Sequence, residues 1–194
     1  MSKHIDLHKL AREGRTEELE KALNLGDMTK SVSLVNVIDK HRRTPLHLTA
    51  FFGHQESVMK LIEYKANVHT GAVDGFTALH FAAQNGHLEV CKVLLSAKAN
   101  IDRATDRGVR TPLHLAAFKG KTDLIEYLIR RKANTEKRNS DGKTALDLVS
   151  DENTKARLLE VIEQVEGRKN LKRKQSDGDS PESKVHKLDE NRDE

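Results

Sequence analysis

The amino-acid sequence predicts an all-α repeat solenoid, a row of short helical units stacked one on the next. Three observations predict it. A phrase recurs as TPLHLTAFFG (44–53), TALHFAAQNG (77–86), TPLHLAAFKG (111–120) and, in degraded form, TALDLVSDEN (144–153), so that Thr44, Thr77, Thr111 and Thr144 step by 33, 34 and 33 residues. Behind each copy runs an aliphatic stretch: VMKLI (58–62), VCKVLL (90–95), LIEYLI (124–129) and LLEVI (158–162). The first three stretches are each followed by Lys-Ala-Asn, at Lys65, Lys98 and Lys132. A fixed period of this length marks units that cannot bury their own apolar faces and gain stability by stacking on neighbours.

The residues of one unit predict its elements in order. Thr44, Thr77, Thr111 and Thr144 suit helix N-caps, and Pro45 and Pro112 fall in a first turn, where a missing N–H costs nothing. Ala50, Ala82, Ala83, Ala116 and Ala117 are small enough for helices to approach closely. Gly53, Gly86 and Gly120 tolerate positive φ and end the first helix. Val58, Leu61 and Ile62, with their counterparts, lay an apolar stripe along a second helix. A partial copy precedes the array: LHKLAREG (7–14) aligns with LHLTAFFG, and EELEKALNLG (17–26) supplies its second helix. Six extra residues separate this copy from the next; they fall within DMTKSVSL (27–34) and are expected to form a loop.

The Thr-Pro-Leu-His-x-Ala phrase at this period resembles the ankyrin repeat. The resemblance covers about residues 5–166. It implies a β-turn followed by two antiparallel helices in each unit. The expected boundaries are an N-terminal capping unit at about 5–43 with the insertion 27–34, repeats at about 44–76, 77–110 and 111–143, and a C-terminal capping unit at 144–166. Asp147, Ser150, Asp151 and Glu152 suit a final unit that meets water. The resemblance also implies that His8, His47, His80 and His114 bond backbone in a neighbouring turn. Lys65, Lys98 and Lys132 stand where the family usually has a left-handed Gly, at about 1 kcal/mol each.

Composition narrows the function. Charged residues are 33%, Trp is absent, and the net charge is only +4, too mild by itself to imply nucleic acid or membrane. One cysteine, Cys91, rules out an internal disulfide framework, and its place among Val90 and Val93 reads as a small buried hydrophobe. The opening MSKHIDLHKL lacks the apolar core of a secretory signal, and no apolar run approaches a bilayer span. The expectation is an intracellular chain of nucleus or cytoplasm, monomeric, without a membrane role. The phrase and the position after its helix-ending Gly (His54, His87) account for six of the ten histidines, and none has metal-ligand spacing; no phosphate loop or nucleophile motif occurs. No catalytic residue, metal or cofactor is expected.

Function is expected in the letters that do not repeat. In ankyrin-like stacks the turn tips and first-helix ends line a concave face. The residues expected there to bind protein are Arg43, Phe51, Phe52, Phe76, Gln84, Asn85, Arg107, Arg110, Phe118 and Lys119. Four of the five phenylalanines stand among them, and Phe81 falls on a core letter of the phrase. Clustered exposed aromatics with arginines nearby have the composition of a binding hot spot. The partner expected is a protein offering an apolar segment with acidic flanks.

From residue 167 to 194 the chain is nearly free of apolar residues and is expected to be disordered. Arg168, Lys169, Lys172, Arg173 and Lys174 resemble a nuclear localisation signal. Ser176 and Ser180 resemble acid-directed and proline-directed phosphorylation sites, where a phosphate would mask the basic run. A second reading follows from this tail: a nuclear regulatory cofactor whose basic segment contacts nucleic acid or import receptors.

Overall fold

The computed structural model describes residues 6–24 and 28–176, with side chains described as far as residue 167 and, after the second helix, from residue 32 onward. Its helices are α1 (Leu7–Glu13), α2 (Thr16–Asn24), α3 (Met28–Val35), α4 (Pro45–Phe52), α5 (Gln55–Glu63), α6 (Ala78–Asn85), α7 (Leu88–Ser96), α8 (Pro112–Phe118), α9 (Thr122–Arg130) and α10 (Glu152–Ser176). Two single 3-10 turns lie at Val73–Gly75 and Leu146–Leu148, and no strand occurs among the described residues. The first helices α1, α4, α6 and α8 pack side by side in that order, with α2, α5 and α7 as a second row behind them and α10 closing against α9.

The repeated letters build this stack. Leu46, Leu79 and Leu113 are buried in the first helices, and Leu61, Leu94 and Leu128 in the second. Ala50, Ala83 and Ala117 are buried where the first helices approach one another. In the first full unit Thr49 replaces an alanine, and its buried hydroxyl is satisfied by donating to the carbonyls of Pro45 and Leu46. The turns between units touch through their backbones: Val73 N–H donates to the His41 carbonyl, Asp106 N–H to Asp74, and Ser140 N–H to Gly108.

Glycine is required where one unit abuts the next. Gly53 has φ of 80°, and a Cβ there would lie 2.6 Å from the His87 ring. That ring cannot retreat freely, because its Nε2 is 3.0 Å from the Phe51 carbonyl. His54 makes the same contact one unit earlier, with the Arg12 carbonyl at 3.0 Å.

The second helices end as expected from the lysines. Lys65, Lys98 and Lys132 have φ of 68°, 68° and 66°, and the following Ala66, Ala99 and Ala133 N–H groups reach back to Leu61, Leu94 and Leu128. A left-handed Lys gains nothing that Gly would not supply at lower cost. The triple Lys→Gly variant is therefore expected to melt higher, by about 0.5–1 kcal/mol per site. A lower melting temperature would mean the lysine stems contribute packing.

Two segments differ from expectation. The insertion expected as a loop at 27–34 forms helix α3. It contains neither Gly nor Pro, and Met28, Val32 and Val35 recur at helical spacing. Val35 is fully buried, and Asn36 fastens the helix end by donating to the Val32 carbonyl at 3.0 Å while accepting from the Asn67 N–H at 2.8 Å. At the other end, the first helix of the last unit shrinks to the turn Leu146–Leu148 because a stronger helix start lies just beyond it. Asp151 accepts from the Thr154 N–H at 2.6 Å and caps α10. That helix then runs ten residues past the boundary expected at 166, so the tail expected to be disordered is helical as far as Ser176. Glu126 ties α10 down, taking Arg130 on one oxygen and Arg157 on the other at 2.7 Å.

Candidate protein-binding face

The face begins with the histidine that joins each helix to the next turn. Thr44, Thr77 and Thr111 donate their backbone N–H groups to Nδ1 of His47, His80 and His114 at 3.0, 3.1 and 3.3 Å. Nδ1 is therefore the acceptor, and the proton sits on Nε2. Nε2 donates onward to the carbonyls of Thr70, Arg110 and Lys143 in the turn that leads to the next unit. His8 does the same from the capping unit, reaching Arg43 at 2.9 Å and Val37 at 3.1 Å. Burial holds His47 and His80 neutral and lowers each pKa to about 4 against the contrary pull of those carbonyls. In the last unit Asp147 replaces the histidine. Its carboxylate accepts from the Thr144 N–H and hydroxyl, both at 2.8 Å, and so preserves the cap where there is no following repeat to reach.

This clamp sets the foot of each turn beside the first-helix surface, where the aromatic residues gather. Phe51 and Phe52 meet edge to face with centroids 5.0 Å apart, Phe51 meets Phe81 at 5.9 Å, and Phe76 meets Phe81 at 5.5 Å. Phe51, Phe52 and Phe118 are 39%, 43% and 59% exposed, large values for phenylalanine in a chain with an aliphatic core. Phe76, expected to be exposed, is half-buried under its neighbours. Phe81, expected in the core, is also only half-buried and joins the other rings together. It stands where the sister phrases have buried Leu48 and Leu115, and a ring at that aliphatic letter is the sequence signal that could have marked it.

The polar residues expected on the face divide into fixed and free. Arg43 is half-buried and held by Asp39 through Nε at 2.9 Å and Nη2 at 2.7 Å. Burial would raise the Asp39 pKa, but hydrogen bonds from the Arg43 side chain and from the Arg43 and His41 amides outweigh it and hold it at about 2. Asn85 is not free either. Its amide donates to the Phe51 carbonyl at 3.2 Å and to the Phe81 carbonyl at 3.1 Å, fixing one unit to the next. Gln84 is half-buried beside it. Arg107 projects into solvent with Nε 3.2 Å from Asp74. The Arg110 guanidinium and the Lys119 ammonium lie 5.9 and 5.5 Å from the Phe118 ring centroid. Val109, the extra residue of the third turn, has φ of 48° and is 40% exposed, a strained conformation for a β-branched side chain.

Cys91 is buried in α7, and burial pushes its thiol pKa up to about 12, which leaves no thiolate for chemistry. Arg168, Lys169, Lys172, Arg173 and Lys174 lie on the backbone of α10, which ends at Ser176. Ser180 and the rest of 177–194 lie outside the described residues. No described helix is long and apolar enough to cross a membrane.

Fold and face together define a helical-repeat stack whose units are linked by Thr–His clamps. Comparison with protein families matches residues 7–105 to ankyrin repeats (3 copies) and residues 82–129 to ankyrin repeats (many copies). The chain belongs to the ankyrin repeat family. Stacks of this family are generally protein–protein interaction modules and are typically non-catalytic. Comparison with curated proteins gives no match.

Proposed function

We propose that this chain is a non-catalytic adaptor or regulator that holds a partner protein against the concave face of its stack. The partner presents an apolar segment with acidic residues beside it. The observation that carries this reading is the exposure of Phe51, Phe52 and Phe118 at first-helix ends, in a stack whose core is built from leucine, valine, isoleucine and alanine. Rings held outward cost solvation without supporting the fold, and burying them in an interface recovers that cost. Most of the face is preformed, since the Thr–His clamps and Asn85 fix its backbone before any partner arrives.

The test is the triple variant Phe51→Ala, Phe52→Ala, Phe118→Ala beside the intact chain in affinity capture, followed by titration of the partner so identified. The expected result is loss of at least about a hundredfold in affinity, near 3 kcal/mol, with an unchanged melting temperature. Retention of the partner by the variant, or unfolding of the variant, would assign the rings to the scaffold and defeat the proposal.

A further inference from the structure

We infer that the partner segment is bipartite, with an apolar anchor seated on the first two full repeats and an acidic block on one side only, at the third. The inference rests on capture by the concave face and adds the order and spacing of the partner's chemistry.

The face is not electrically uniform. Near the Phe51–Phe52–Phe81–Phe76 cluster the arginine at the foot of the turn is already neutralised, because Arg43 spends two donors on Asp39. A carboxylate brought there would compete with Asp39 Oδ2, which already accepts from both Nε and Nη2. At the third repeat two cations converge on one exposed ring, whereas exposed Lys40 and Arg42 of the first turn stack on no ring of the cluster among the described residues. Arg110 and Lys119 both lie within 6 Å of the Phe118 centroid, and neither has a carboxylate partner among the described residues. A phenyl face attracts these cations weakly, and a carboxylate bonds them far more strongly while leaving the exposed ring to be covered by the same residue's methylenes. Unpaired positive charge that converges on one exposed ring is complementary to glutamate or aspartate.

The spacing follows from the packing. First helices α4, α6 and α8 are successive neighbours, so the Phe51–Phe52 pair and Phe118 are two helix spacings apart, about 20 Å. An extended segment at about 3.3 Å per residue bridges that distance with about six residues. Between the two ends lie Gln84 and Asn85, polar and uncharged, which suits a neutral linker.

The experiment uses the full chain and fluorescent synthetic peptides in which a Phe-Leu anchor is joined to a glutamate run by Gly-Ser linkers of about zero, three, six and nine residues. The linker near six is expected to bind tightest, about tenfold or more above the shortest, and to lose that gain when the glutamates become lysines or when salt is raised. Arg110→Gln with Lys119→Gln is expected to reduce that peptide to the affinity of the anchor alone, with an unchanged melting temperature. Phe51→Ala with Phe52→Ala is expected to weaken every peptide. An optimum at the shortest linker, which would point to exposed Lys40 and Arg42 of the first turn, overturns the inference. So does indifference to the Arg110 and Lys119 changes, or failure of all the peptides to bind. None of these touches the concave-face reading, which stands or falls separately on partner capture by the triple Phe variant.

Discussion

Acidification from about pH 7 to pH 4 is expected to remove several kcal/mol of stability from this stack, with most of the loss above pH 4.5. His47 and His80 have a pKa of about 4 in the folded chain, against 6.5 for the unperturbed ring, and burial is the main cause in both. Between those values the unfolded chain binds more protons than the folded one, so stability falls as pH falls. The contribution is complete above about pH 6.5 and is gone below about pH 4. At about 1.4 kcal/mol per pH unit each ring accounts for about 3 kcal/mol, and His114 is lowered in the same direction. Against a total of about 5–15 kcal/mol for a typical domain, this is a large share.

The structural reason is that a second ring proton has nowhere to go. Nδ1 already faces the N–H of Thr44 or Thr77, and a donor there would meet a donor. The buried carboxylate-side effects lie lower on the scale, since Asp39 is held at about 2 and Glu126 below its ordinary 4.5. Urea titrations at pH 7, 6, 5 and 4 measure the effect. The His80→Gln variant is expected to begin less stable and to lose about half the pH slope. A midpoint flat from pH 7 to 4.5 would show that these rings titrate normally and that the clamp opens without cost.

The second large effect concerns position along the stack. Leu79→Ala and Leu158→Ala both empty a fully buried site and each is expected to cost about 2–5 kcal/mol locally. Leu79 lies in α6, packed between α4 and α8, whereas Leu158 lies in α10, which packs chiefly on α9. A repeat stack is stabilised by nearest-neighbour interfaces, so a fault in the middle weakens two of them and a fault at the end weakens one. Leu79→Ala is expected to lower the single unfolding midpoint of the whole chain. Leu158→Ala is expected to release α10 in an earlier step while α4–α9 keep the original midpoint. Circular dichroism of the unfolding curve with hydrogen exchange along the chain separates these outcomes. One shared transition in both variants would show that the stack is coupled from end to end.

Much of this molecule was legible before any coordinates. Period, caps and apolar stripe predicted the order of the helices, because each is a local consequence of residue type repeated in register. The family resemblance implied backbone bonding for the histidines, and the apolar run around Cys91 marked it as interior. Phe51, Phe52 and Phe118 stand at the two letters of the phrase that vary between units, and all three side chains are exposed.

What sequence could not reach was decided by contacts between units. Whether Arg43 was free depended on Asp39 turning back four residues to hold it. Asn85 read as a free letter until its amide was seen to reach Phe51 in the preceding unit. Phe81 read as core because its letter is leucine in the sister phrases, yet it is only half-buried and meets Phe51 and Phe76. At the last unit two local signals competed, a continuing first helix and a new start at Asp151, and packing of α10 on α9 favoured the second. Sequence alone therefore determined the scaffold, whose rules are local and repeated. The tertiary structure decided which charges and rings remain available on the face, because availability depends on partners distant in sequence.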